Sequence, residues 1–246
     1  MPPTKTHTES SGYYVKHEGR LLASLDRTLQ LMQGTLVKEF GESITETLKH
    51  QIREEFASLI PEIPRGKGAR ARMFNKFLII TTQFLAAYKV LIRYGWEPRD
   101  IWPLCHEALR MNLEAIPAWK RGATSFFWNS LFVRILKKRG EREIKEELCG
   151  FDLEYLAGNS GDFDVGINYT RCGNIDFLKK HGGEALAPFI CLSDMALSDA
   201  FGWGLVRTQT LADGCSHCDF RFKIGSSTRI TSKTPEVQEF IDSLES

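Results

Sequence analysis

The last third of the chain gathers residue types that can carry out covalent or acid–base chemistry. Four of the six cysteines fall here, beside histidines and aspartates. A thiol becomes a nucleophile or a metal ligand once it is ionised, and a carboxylate can hold a cation or relay a proton. This concentration predicts a functional site in the segment 168–218. The residues concerned are Cys172, Cys191, Cys215 and Cys218, with His181, Asp194, His217 and Asp219.

Cys172 is the best candidate for a nucleophile by its position. It stands at the start of a short helix predicted over 171–180, where the helix dipole favours a thiolate, and Arg171 is its neighbour. Cys191 and Asp194 are three residues apart on a longer predicted helix, so that they share one face. The position of Asp194 is as typical of an ordinary, partly exposed acidic residue on a helix as it is of a functional group.

A predicted β-hairpin carries two further candidates. The segments 205–211 and 218–224 alternate apolar and polar residues around a turn at Gly214, which is typical of paired strands. Arg207 is either a solvent-facing cross-strand partner or a bidentate grip for a carboxylate. Asn168 ends an earlier predicted strand, and the topology could bring it to the same site.

The spacing of Cys215 and Cys218 suggests a second chemistry. Two cysteines separated by two residues can clamp a metal ion, with Cys172, Cys191 or His217 completing a tetrahedral set. However, the sequence has no second pair of this kind, and neighbouring residues of a strand point to opposite faces. We therefore assign no metal ligands and expect no cofactor, while a divalent metal stays open.

The first part of the chain is predicted to be helical. Apolar residues recur there at steps of three and four, as in helices with one buried face. The alternating charges of 137–147 predict a solvated helix end or junction, and Cys105 and Cys149 are expected to be buried thiols on helices. We expect a flexible segment 1–13 followed by a helical part 14–148. The predicted helices are 14–32, 36–59, 72–93, 97–115 and 119–139.

After Phe151 the composition changes, and alternating apolar residues after a Gly-rich turn predict that a sheet begins. Further helices are predicted over 171–180, 184–201 and 234–244. The predicted fold class is therefore α+β, with the helical N-terminal part packed with a small antiparallel sheet and helices in the C-terminal part, 149–246. We expect both parts to form one compact unit.

Composition narrows the range of partners. Lys and Arg number 32 against 31 Asp and Glu, a net charge of +1, whereas nucleic-acid-binding domains are usually strongly basic. The longest apolar stretch, 77–90, is interrupted by polar residues and is too short to span a membrane. Because the first residues are polar and include no apolar run, we expect no secretory signal sequence. We expect a cytoplasmic protein that binds neither nucleic acid nor membrane and could form a homo-oligomer.

Three motifs within 162–222 resemble the L-2-amino-thiazoline-4-carboxylic acid hydrolase family. They are N-Y-T-R-C from Asn168, G-G-E-A-L-A-P-F-I-C-L-S-D from Gly182, and R-T-Q-T-L-A-D-G-C-S-H-C-D-F-R-F from Arg207. The end of the last motif is also similar, less closely, to the 4-vinyl reductase small-molecule-binding domain. The resemblance covers about 60 residues, and Cys215 is outside the family pattern.

The resemblance implies that water opens a cyclic amidine ring to give a carbamoyl-cysteine. It also implies a site built from the residues that match the motifs. We hypothesise that Cys172 or Cys191 is the nucleophile or a ligand, that Asp194 holds the amidinium or relays a proton, and that Arg207 grips the substrate carboxylate. The site residues are Asn168, Cys172, Cys191 and Asp194 as catalytic groups, with Arg207 and Cys218 as substrate-binding groups.

Two other functions fit the same residues. One is a diverged enzyme on the same scaffold that performs a hydrolytic, cyclising or isomerising step in secondary metabolism, because a fold does not determine a function. The other is a sensor that binds a small molecule or a metal ion without turnover.

Overall fold

The computed structural model describes residues 8–68, 71–127, 144–158 and 161–245. The chain divides into two compact units. The helical unit contains Met1–Ala108, Leu148–Gly150 and Gly173–Ala187, and the sheet unit contains Leu109–Glu147, Phe151–Cys172 and Pro188–Ser246. Segments of the two units therefore alternate along the chain, whereas the sequence predicted a single boundary, at 148/149, between a helical part and an α+β part.

The described part of the helical unit confirms most of the predicted helices. It begins with a helix inside the segment predicted to be flexible, of which 1–7 lies outside the described residues. The second helix runs on to Gly41, where a φ of 77° ends it, because this backbone conformation suits glycine. The helices are α1 (Thr8–Lys16), α2 (Glu18–Phe40), α3 (Glu42–Leu59), α4 (Ala71–Leu91), the first part of α5 (Pro98–Glu114) and α7 (Gly173–Lys180).

Helix α4 is the core helix of this unit. Its buried side chains include Leu78, Phe84, Leu85 and Val90, which agrees with the apolar residues that occupy nearly all of its faces. Among the described residues, Ala71–Tyr94 is the one helical stretch long and apolar enough to cross a membrane, and 61% of its most apolar window is buried inside the protein. Such burial is what a core helix shows.

The sheet unit contains a six-stranded sheet in the order β1-β2-β3-β5-β4-β6. Neighbours from β2 to β4 pair antiparallel, as predicted, and the two-residue β6 is parallel to β4. The predicted hairpin is confirmed, although its first strand ends early, at Arg207. The strands are β1 (Ile144–Leu148), β2 (Phe151–Ala157), β3 (Val165–Arg171), β4 (Leu205–Arg207), β5 (Cys218–Phe222) and β6 (Arg229–Ile230).

Strand β1 corrects two predictions. It occupies part of the charged run that predicted a solvated helix end or junction, of which 137–143 lies outside the described residues. Cys149, expected on a helix among apolar neighbours, instead lies in the turn between β1 and β2 with a φ of 58°. Its thiol donates a hydrogen bond to Asn75 Oδ1 at 3.2 Å. Positive φ at both positions of a two-residue hairpin turn is the type I′ conformation, and Gly150 supplies the second, with a φ of 84°.

The helix predicted over 184–201 is broken. A 3₁₀ turn, Glu184–Leu186, leads into α8 (Ala187–Ile190), and α9 (Ser193–Phe201) starts after Cys191 and Leu192. The sheet unit also contains α6 (Ala118–Phe127) and α10 (Pro235–Glu245). Helix α10 confirms the predicted C-terminal helix, and α6 confirms the described part of the helix predicted over 119–139, whose remainder lies outside the described residues.

Strand register decides which side chains share a face. Tyr169 pairs with Cys218, Asn168 with Asp219, and Leu205 with Phe222. Because successive side chains of a strand alternate between the faces, one face gathers most of the buried residues, and we call it the buried face. Its members include Val165, Ile167, Tyr169, Leu205, Arg207, Cys218, Phe220 and Phe222.

Candidate functional site

Arg207 is the centre of the candidate site. It is the last residue of β4 and only 1% exposed. Its Nη1 donates hydrogen bonds to Asp194 Oδ2 at 2.6 Å and to the carbonyl oxygen of Cys191 at 2.8 Å. The guanidinium carbon lies 5.6 Å from the centre of the Phe220 ring. A buried cation needs such partners, because an unpaired charge in the interior is very unfavourable.

The contact with Cys191 also explains the broken helix. The carbonyl oxygen of Cys191 accepts from Arg207 where the chain turns from α8 into α9. Around this turn the backbone bonds span three residues, as in the bond from the Leu192 amide to the Phe189 carbonyl at 2.9 Å. Cys191 and Asp194 consequently stay close together, but both are arranged around Arg207 instead of along one continuous helix.

Asp219 fixes the chain that follows Arg207. Its Oδ1 accepts hydrogen bonds from the amides of Thr208 and Gln209, each at 2.9 Å, and its Oδ2 accepts from Thr208 Oγ1 at 2.6 Å. The acidic residue of the C-D-F-R-F motif therefore holds the backbone at the end of β4. Sequence reasoning counted Asp219 only among acidic residues near the cysteines and missed this positioning role.

Asp194 is the group of the site best suited to proton transfer near neutral pH. Burial raises the pKa of its carboxyl from 3.8 to about 6, although the charge and the hydrogen bond of Arg207 act in the opposite direction. About a quarter of its side chain, 26%, stays exposed. A carboxylate with a pKa in this range and some access to solvent can serve as a general base.

Two thiols of the site are held in the protonated form. Burial raises the pKa of Cys191 well above the usual range, and Arg207 opposes this only in part. Burial also raises the pKa of Cys218 to about 12, although the Leu211 amide donates a hydrogen bond to its sulfur at 3.2 Å. Since the thiolate is the reactive form, this environment disfavours Cys191 as a nucleophile.

Cys172 lies near these groups. It is half-buried and directly precedes helix α7, as predicted. A negative charge on Cys172 would raise the pKa of both Cys218 and Tyr169, which places its sulfur in their electrostatic neighbourhood. The structure thus brings five of the six predicted residues together.

The sixth residue, Asn168, is on the other face of the sheet. It is adjacent to Tyr169 in β3 and pairs with Asp219, so its side chain points away from the buried face. Its Oδ1 accepts a hydrogen bond from Arg221 Nη1 at 3.0 Å. The structure therefore does not bring Asn168 to the same site as Arg207, because side chains alternate along a strand and these two lie on opposite faces of the sheet.

Tyr169 belongs to the site and was missed. It lies on the buried face opposite Cys218, and its ring makes edge-on contacts with Phe151 and Phe220 at centroid distances of 6.4 and 4.8 Å. The alternation of side chains along the strand motif N-Y-T-R-C could have identified Tyr169, because it places the phenol on the face opposite to Asn168. We call Arg207, Asp194, Cys191, Cys218, Cys172 and Tyr169 the Arg207 cluster.

Cys215 and His217 do not form a metal clamp with the cluster in the described residues. His217 Nε2 shares a hydrogen bond with Gln209 Nε2 at 3.0 Å, and its Nδ1 faces Ser216 Oγ at the same distance. Within the described ranges, no group of three or more His, Cys, Asp or Glu side chains is arranged to hold a metal ion.

Comparison with known proteins gives one match. The family model described as L-2-amino-thiazoline-4-carboxylic acid hydrolase matches residues 76–222, which is more than half of the chain and includes the whole Arg207 cluster. No curated protein and no solved structure matches the chain.

Proposed function

The chain belongs to the L-2-amino-thiazoline-4-carboxylic acid hydrolase family, and on this premise we propose that it opens a carboxylate-bearing cyclic amidine by hydrolysis at the Arg207 cluster. The observation that carries the proposal is the pair formed by Asp194 and Arg207. It combines a partly exposed carboxyl whose pKa is raised to about 6 with a buried cation that orients it.

Asp194 is the general base in the proposed reaction. It takes a proton from water while the water oxygen bonds to the amidine carbon. The electron pair of the carbon–nitrogen double bond moves to the ring nitrogen, which receives that proton. The hydroxyl proton then passes to Asp194 as a carbonyl group forms and the carbon–sulfur bond breaks. The electron pair leaves with sulfur, which takes up a proton to become the thiol. One water is consumed, and the product is a carbamoyl-cysteine.

Arg207 has two roles in this proposal. Its Nη1 holds Asp194 in place, which pre-orients the base. Its Nε is buried and has no hydrogen-bond partner in the part of the chain that the structure describes. Because a buried donor without a partner is unfavourable, this nitrogen supports contact with an acceptor on the substrate. A carboxylate suits a guanidinium in this way.

The thiols of the cluster are not the base in this proposal. A water route needs no thiolate, which agrees with the raised pKa values of Cys191 and Cys218. Cys218 then lines the substrate site as a neutral group. Cys172 remains the candidate for a covalent route. Asn168 is left out of the proposal because its side chain points to the opposite face of the sheet.

The test is product formation by the purified protein. We would incubate it with L-2-amino-thiazoline-4-carboxylate, with and without divalent metal, and detect carbamoyl-cysteine by mass spectrometry. Asp194→Asn should lower kcat by about 100-fold or more, the usual contribution of a general base. Asp199→Asn is the matched control, since Asp199 is exposed on the same helix, α9, and should keep full activity.

Four outcomes separate the alternatives. No product from folded wild-type protein would overturn the proposed reaction. Full activity of Asp194→Asn would overturn the assignment of the base, and an inactive Cys172→Ser beside an active Asp194→Asn would favour the covalent route. Activity that requires added metal would show that a metal ion supplies part of the chemistry.

A further inference from the structure

Tyr169 occupies the middle of the sheet at the Arg207 cluster. It lies on β3, between Leu153 of β2 and Cys218 of β5. The edge-on contacts of its ring with Phe151 and Phe220 restrict its orientation. Phe220 also lies under the Arg207 guanidinium, so that one aromatic ring contacts both side chains. The phenol is therefore held by packing in the same part of the sheet unit as the proposed base.

The groups around the phenol keep it protonated. Burial raises the pKa of Tyr169 well above its usual value, and the neighbouring Asp194, Tyr155, Cys172 and Cys218 raise it further. A neutral phenol is a hydrogen-bond donor that can also give up its proton. Because these surroundings disfavour a negative charge on the phenol oxygen, the phenolic proton leaves only when a partner group takes it.

The reaction has a proton to deliver to the departing ring atom. When the ring carbon–sulfur bond breaks, the sulfur acquires an electron pair and must finally receive a proton. Arg207 cannot supply it because a guanidinium does not lose its proton in proteins. Asp194 has already taken a proton from water and returned it to the ring nitrogen. The protonated thiols of Cys191 and Cys218 are weak donors, and Tyr169 is the remaining side chain of the cluster with an oxygen-bound proton.

We propose that Tyr169 is the proton donor to the departing ring atom, an inference that rests on the proposed hydrolysis. The bond between the amidine carbon and the ring heteroatom breaks, its electron pair goes to the heteroatom, and the phenolic proton moves to that atom. The hydroxyl proton released as the carbonyl forms passes to Asp194 and from there, through solvent, to the phenolate. Each group thus returns to its starting state, and no oxidant or reductant is involved.

The experiment compares two rings that differ in the leaving atom. Tyr169→Phe removes only the hydroxyl group, and Tyr88→Phe removes the same group from a buried tyrosine of helix α4 in the helical unit. Both variants and the wild type are assayed with the thiazoline and with its oxygen analogue, 2-amino-oxazoline-4-carboxylate. A thiol has a pKa of about 8.5, so thiolate departs without much help, whereas the far more basic alkoxide requires a proton.

We expect Tyr169→Phe to lower kcat about 100-fold or more with the oxygen ring and much less with the sulfur ring, with KM little changed for both. Tyr88→Phe should behave as the wild type. Equal losses of kcat with the two rings would indicate a merely structural role and would overturn the role of Tyr169 as a proton donor. That role would also be overturned if Tyr169→Phe lost no activity, or if the wild type opened only the sulfur ring. Failure of the folded wild type to open either ring would instead overturn the proposed hydrolysis itself.

Discussion

Replacing Arg207 by methionine should raise the pH at which the enzyme becomes active. In the proposed reaction the base is the ionised carboxylate of Asp194, whose pKa burial raises to about 6. Activity should therefore fall as the pH drops through about 6, because the carboxyl becomes protonated. Arg207 opposes this rise through its charge and its hydrogen bond at 2.6 Å. Methionine removes both effects and keeps an unbranched apolar stem in the buried position.

The size of the shift follows from the ion pair. A neighbouring opposite charge commonly lowers a carboxyl pKa by about 1 to 3 units. Without Arg207, the pKa of Asp194 should therefore lie at about 7 to 9. For a value of about 8, the ionised fraction at pH 7 falls from about nine tenths to about one tenth. The variant should thus lose about tenfold of its activity at pH 7 from ionisation alone and recover part of it at higher pH.

The assay is the dependence of kcat/KM on pH between about 5 and 9, which reports the pKa of the base in the free enzyme. A carbon-13 NMR titration of the Asp194 carboxyl gives the same pKa without substrate. Arg221→Met is the matched control, because it removes a guanidinium from the same sheet, on the face of Asn168. Thermal unfolding of both variants checks that each is folded.

An acid limb at the same pH in Arg207→Met and in the wild type would refute the reasoning, and so would an Asp194 carboxyl that titrates unchanged by NMR. Either result would mean that Asp194 is not the group whose ionisation limits activity, or that Arg207 does not govern it. A shift of the limb in Arg221→Met would show that the effect comes from net charge instead of from the ion pair.

Three further predictions concern stability and reactivity. Asp219→Ala should lower the free energy of unfolding by about 2 to 4 kcal/mol, since three hydrogen bonds to a carboxylate are lost, as measured by urea denaturation. Gly204→Ala should destabilise far more than Gly202→Ala: both have positive φ, but a Cβ at Gly204 would meet a backbone carbonyl oxygen at 1.9 Å, while at Gly202 nothing lies within 4 Å. Iodoacetamide at pH 7 should label Cys218 more slowly than Cys215, because Cys218 is buried and its pKa is raised to about 12.

Each of these has a contrary result. An Asp219→Ala protein as stable as the wild type would show that the amides after Arg207 find other partners. Equal costs for the two glycine substitutions would mean that φ alone, and not the close approach of two chain segments, limits Gly204. Faster labelling of Cys218 than of Cys215 by mass spectrometry, in protein that remains folded, would show that its thiol is ionised or accessible.

Local periodicity was enough to predict much of the fold. Apolar residues at helical steps identified α2, α3 and α4, and alternation identified the pairing of β4 with β5. These patterns work because a helix or strand that buries one face must repeat its apolar residues with the period of its backbone. The charged run 137–147 predicted a solvated helix end or junction and did not predict strand β1, because its charges follow no period that distinguishes a strand from a helix end.

The composition of the site was also visible in the sequence. Cysteines, an aspartate and an arginine at family-like intervals pointed to Cys172, Cys191, Asp194, Arg207 and Cys218, and the structure brings these five together. The same motifs placed Asn168 beside them, and here the linear pattern failed. A motif gives the order of residues along the chain. The face of the sheet on which a strand residue lies depends on the alternation of side chains along its strand and on the register with the neighbouring strands.

What the sequence by itself determined is which residue types are present, where most of the helices and the paired strands β4 and β5 lie, and which family the chain resembles. Only the tertiary structure decided that the chain turns at Cys191, that Asp219 fixes the segment after Arg207, and that Tyr169 joins the cluster. Each of these depends on contacts between segments that are distant in the chain. Burial and charge at such contacts also set the pKa of Asp194, so its chemistry cannot be assigned from its neighbours in sequence.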